Sequence, residues 1–122
     1  MRIFKTKEFS KIAAKDLEIS DEALKKAIKE MCNGLCEVNL GGNVYKKRIA
    51  LNGRGKSGGA RTILCFKEGE KAFFIYAFSK NDKDNISNIQ KEYIKVLADH
   101  YLRLTEESIN NNLKKGNLLE IK

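Results

Sequence analysis

The 122-residue chain has no proline, no tryptophan and only one histidine. It also lacks any apolar run near the roughly 20 residues that would cross a bilayer. Without proline-rich, repeated or low-complexity stretches there is no linker to mark a boundary, and the length predicts one domain. Cysteine is sparse. Three thiols without a secretory signal read as reduced cysteines in a cytoplasmic setting. Cys32 and Cys36 are four apart, not the spacing of a zinc knuckle or a redox pair. A four-ligand zinc site would have to gather Cys32, Cys36, Cys65 and His100 from distant segments, so no metal is expected. Nor is there a histidine pair, a Ser/His/Asp set or a carboxylate cluster. Asp82 and Asp84 flank Lys83 and read as the acidic start of a helix. An enzyme built from this inventory must stabilise a charged transition state with cations rather than rely on ordinary acid–base residues.

One absence is local. From Val38 to Lys67 there is no aspartate or glutamate, yet seven lysines and arginines occur there: Lys46, Lys47, Arg48, Arg54, Lys56, Arg61 and Lys67. The net charge is +8, and the flanking segments are nearly balanced, so seven of the eight excess charges fall within this quarter of the chain. Charge concentrated this way is a field aimed at an anionic partner, and nucleic acid fits it better than a membrane because the stretch reads as strand and loop. Most of the glycines lie there too, in LGGNVYKKRIALNGRGKSGGAR (40–61), where backbone N–H groups and cationic heads can approach phosphate without a Cβ in the way. The plain alternative is a solvated basic hairpin loop. Gly55-Lys56-Ser57 ends like a nucleotide-binding P-loop, but Ala50 stands where its first glycine belongs and the segment leads into a strand, not a helix.

The remaining pattern predicts an α+β fold. Arg2–Lys5 suits a short strand, and Phe9, Ile12 and Ala13 suit a helix over 7–15. Ser20 with Asp21 and Glu22 starts a helix whose apolar stripe is Leu24, Ala27, Ile28 and Met31, stopped at Asn33-Gly34. From Val44 the period becomes two, with Tyr45, Ile49 and Leu51 on one face and Lys46, Arg48 and Ala50 on the other. Strands at 61–67 and 71–79 flank a turn at Glu68–Glu70. A long helix follows over 85–103, expected to bury Ile86, Ile89, Tyr93, Leu97, Tyr101 and Leu104. A short helix over 105–115 and an edge strand over 117–121 complete the chain.

Arg61 opens a strand directly after Gly58-Gly59-Ala60, and Lys80 ends the neighbouring strand; the plain alternatives are a rim arginine and a solvated strand-end lysine. A two-residue turn at Glu68-Gly69 would place Arg61 on the face of Tyr76, Phe78 and Lys80, and a three-residue turn would separate them. The aromatics Tyr45, Tyr76 and Phe78 near the cations could stack bases, although the alternation makes Phe78 a core residue.

Taken in order, the KKRIA strand, the GRGKSGG loop, the G-x-R-T strand start and FFIYAFSKNDKDNIS resemble the RelE superfamily of bacterial type II toxins, in its HigB-like branch. The resemblance spans a core of about 1–104, with 105–122 as the final short helix and strand. It implies a microbial-ribonuclease-like fold: an antiparallel sheet with two N-terminal helices and a C-terminal helix. It also implies a ribosome-dependent mRNA endoribonuclease that needs no metal or organic cofactor. A cognate antitoxin, usually a HigA-like helix-turn-helix protein that also represses the operon, would hold it inactive, and DNA would be met only through that antitoxin. By position the resemblance makes Arg61 the phosphate-stabilising arginine and Lys56 and Lys80 catalytic candidates, with Lys46, Lys47, Arg48 and Arg54 binding RNA. Asn81 and Ser87 stand where RelE has an arginine and a tyrosine, which leaves the general acid and base open. The runner-up from a different class is a basic module that occupies RNA or the ribosome without cutting. A DNA-binding autoregulator ranks lower, because no helix-turn-helix pattern carries cations on a recognition helix.

Overall fold

The computed structural model describes residues 1–14, 18–35, 38–50, 59–79 and 87–122. The elements run β1 (Arg2–Thr6), α1 (Lys7–Ile12), α2 (Asp21–Cys32), β2 (Val38–Gly41), β3 (Val44–Ile49), β4 (Ala60–Lys67), β5 (Lys71–Ser79), α3 (Asn88–Leu102), α4 (Glu106–Lys115) and β6 (Leu118–Ile121). Local chemistry sets most of these limits. The hydroxyls of Ser20, Ser87 and Thr105 accept hydrogen bonds from the third backbone N–H beyond them, and Ser87 forms a reciprocal box with Gln90. Gly116, at φ 78°, ends α4 in the left-handed conformation that a side chain would resist.

The six strands form one sheet in the order β2-β3-β4-β5-β1-β6. Every neighbouring pair is antiparallel except β1 with β5, which is parallel. The expected antiparallel sheet is therefore mixed: the first strand docks beside the fifth, and such a pairing needs the intervening chain to cross over. The β2 strand, unforeseen in the sequence, pairs with β3 across a turn in which Gly41, Gly42 and Asn43 all have positive φ.

Both sheet faces are covered. One core joins Phe9 of α1 and Leu24, Ala27, Ile28 and Met31 of α2 to Ile49, Leu64 and Phe74 of the sheet. The other joins Ile94 and Ala98 of α3 and Ile109 of α4 to Phe4, Ile63, Cys65 and Phe73. The long helix corrects one expectation. Ile94 and Ala98 are its buried residues, and Leu97 and Tyr101 pack beside them, but Ile89 and Tyr93 point outward. Tyr101 stacks on Phe73 with ring centroids 5.2 Å apart.

Candidate nucleic-acid interface

Arg61 lies in β4 directly opposite Arg48 of β3 on one side and Phe78 of β5 on the other. Residues paired across a sheet point to the same face, so these three share the face covered further along by α3. Lys46 pairs with Ile63 and belongs to that face too. The face question left open by the turn is answered for Tyr76 and Phe78 in two steps, Lys80 lying outside the described residues. The Glu68–Glu70 turn has three residues, with Lys67 opposite Lys71, a register that would set Arg61 against Ala77. Between Ile63 and Leu64 the register slips by one, Leu64 facing Phe74 and Ile63 facing Tyr76, so Ile75 is the extra residue of a bulge. The slip returns Arg61 to the face of Tyr76 and Phe78. The bulge is tied down by Thr6, whose buried hydroxyl donates to the Ile75 carbonyl at 3.3 Å while accepting from the Phe9 N–H at the start of α1.

Gly59 fixes where β4 begins. A Cβ there would lie 2.1 Å from the Ile49 carbonyl oxygen, so only glycine lets the chain pass the end of β3 this closely, two residues before Arg61. Thr62 then donates to the Lys47 carbonyl at 3.0 Å from the opposite face.

The structure places the other expected residues unequally. Lys46 and Arg48 are half-buried beside Arg61. Lys47 is not with them. Alternation turns it to the α2 face, where it is 1% exposed and its Nζ meets Glu30 Oε1 at 2.9 Å. It has no surface to offer a ligand, and Glu30, which holds it, was not singled out from the sequence. Strict period-two reading, with Lys47 between Tyr45 and Ile49, was the available signal. Arg54, Lys56 and Lys80 lie outside the described residues.

Chemically, the face presents two guanidinium groups on directly opposed positions. Like charges so placed repel unless an anion lies between them, and guanidinium forks suit phosphate oxygens bidentately. Among the described residues Arg61 has no hydrogen-bonded or ion-paired partner, so its donors remain available. Tyr76 and Phe78 continue the face as a tilted aromatic pair 6.2 Å apart. Among the described residues no three His, Cys, Asp or Glu side chains gather as a metal-holding group.

Fold and face together define a small α+β protein with two arginines directly opposed on one face of its sheet. A family model described as the RelE toxin of the RelE / RelB toxin-antitoxin system matches residues 1–121. The chain belongs to the RelE toxin family: it is the toxin of a toxin–antitoxin system, and a cognate antitoxin is its partner. No curated protein matches it significantly. Among the described residues no helix is long and apolar enough to cross a membrane.

Proposed function

We propose that this toxin is a ribosome-dependent mRNA endoribonuclease of the HigB-like branch. The observation that carries the reading is the direct opposition of Arg48 and Arg61 across β3 and β4. In the proposed reaction the 2′-hydroxyl of one nucleotide attacks the adjacent phosphorus, the bond to the 5′-oxygen of the next nucleotide breaks, and that oxygen takes up a proton. The products are a 2′,3′-cyclic phosphate and a free 5′-hydroxyl. Charge builds on the non-bridging oxygens as the fifth bond forms, and Arg61, supported by Arg48, is placed to stabilise it. Lys56 and Lys80 remain the proposed proton donors or acceptors, and Lys46 and Arg54 the message-binding cations. Lys47 takes a structural part, holding β3 on α2. The ribosome would orient the message in line. The cognate antitoxin is proposed to be HigA-like, with a helix-turn-helix.

Arg61→Ala should leave the fold intact, lower cleavage roughly 100- to 1,000-fold and abolish growth arrest; undiminished toxicity would reject the role. Primer extension on message from induced cells separates cutting from occupancy. New 5′ ends are expected, and arrest without them would favour the basic module that binds without cutting.

A further inference from the structure

The helix α3 carries more apolar surface than its own chain covers. Ile94 and Ala98 face the sheet. On the other side Ile89, Tyr93 and Val96 stand at i, i+4 and i+7, exposed by 84%, 64% and 68%. The other large exposed apolar side chains among the described residues lie at the amino terminus, around β2 and on β6, so only α3 shows three in a line. A helix apolar on both sides is ordinarily covered on both, and exposed patches of this kind mark interaction sites.

The line is a ridge between two clefts. On one side Tyr93 joins Tyr76, Gln90 and Leu97 around a cleft of about 360 Å³. On the other, Val96 and Leu104 meet Asp99, His100, Arg103 and Ser108 around a second cleft of about 430 Å³, richer in polar side chains. The charges beside the ridge argue against RNA as occupant. Glu92 and Asp99 lie along it, and the nearby cations are engaged within the helix, Lys95 with Glu92 at 3.9 Å and Arg103 with Asp99 at 3.0 Å. Those pairs leave Lys95 and Arg103 little to offer an anionic ligand, whereas an apolar protein segment would meet Ile89, Tyr93 and Val96 directly. The surface is also continuous with the cationic face, because Tyr76 lines the first cleft and its ring adjoins Phe78, which is opposite Arg61.

We propose that the Ile89–Tyr93–Val96 ridge and its two clefts form the docking surface for an apolar segment of the cognate antitoxin. Inhibition then comes from bulk set beside the Arg48–Arg61 face, not from neutralising its charges; this last clause rests on the proposed nuclease reading. The contact belongs to the hydrophobic class, so binding should depend weakly on salt.

The probe is the protein encoded by the reading frame adjacent to this gene, titrated calorimetrically into the full chain and into Tyr93→Lys/Val96→Lys. Both positions are exposed, and circular dichroism confirms the fold. The double variant should bind roughly 100-fold more weakly. It should arrest growth like the wild type but escape rescue by the co-expressed partner. Binding by the double variant within threefold of wild type overturns the proposal. So does failure of the partner to bind the wild-type chain, or loss of binding in Arg48→Ala/Arg61→Ala instead. Sedimentation showing that the ridge pairs two copies of the toxin, and that the double variant disperses them, would assign the surface to self-association and also overturn it. If the wild type cuts no message, the nuclease reading falls while the binding comparison still judges the surface.

Discussion

At the scale of single residues, position along a strand separates side chains that composition treats alike. Lys46, Lys47 and Arg48 are consecutive cations, yet only the outer two share a face with Arg61, while the middle one is buried on Glu30. The two cysteines among the described residues divide similarly. Burial pushes the Cys65 thiol up to about 12, whereas Cys32 is exposed. Iodoacetamide at about pH 8 should therefore alkylate Cys32 in the folded protein and spare Cys65 until denaturant is added, since only the thiolate reacts. Peptide mass mapping reads both sites, and labelling of Cys65 at the rate of Cys32 would contradict the packing. The place of Arg61 near the start of β4 was legible because glycines precede it. The fate of Lys47 was overshadowed by its basic neighbours, and the partner Glu30 is distant in sequence.

At the scale of elements, α2 and β3 are joined by the Lys47–Glu30 pair beneath the cationic face. Removing one partner strands the other in a poorly solvated site. Glu30→Ala should cost about 3 kcal/mol in urea denaturation, and Glu30→Leu/Lys47→Met clearly less. Equal losses in the two variants would show that the lysine finds other solvation. The helices were the most legible elements, because a capping hydroxyl and a 3.6-residue stripe lie within a few residues of each other. The stripe of α3 misled for the same reason. Ile89 and Tyr93 repeat with a spacing suited to burial, but the sheet beneath accommodates only the side bearing Ile94 and Ala98.

At the scale of the whole molecule, the chain ends are stitched together. β1 lies between β5 and β6, and Arg2 donates twice to Glu120, through Nε and Nη2, each at 2.9 Å. Those hydrogen bonds hold the Glu120 carboxyl below its ordinary range. A carboxylate with a lowered folded pKa contributes stability above its unfolded value, near 4.3, and loses it as pH falls through the folded one. Glu120→Gln should thus cost up to about 1 kcal/mol at neutral pH, the pair being partly open to solvent. The difference should close under strongly acidic conditions, and urea titrations at neutral and acid pH compare the two. An unchanged gap would place the effect elsewhere. By itself the sequence determined the α+β class, the Ser20 cap and the Gly116 stop, the central strands and the concentration of cations, since each depends on neighbours a few residues apart. Only the tertiary structure decided that β1 runs parallel to β5, that a bulge at Ile75 brings Arg61 to the face of Tyr76 and Phe78, that Lys47 is buried and that the α3 ridge is bare. The reason is physical: strand register and burial are set by partners far along the chain, and a one-residue slip in the sheet reverses every face.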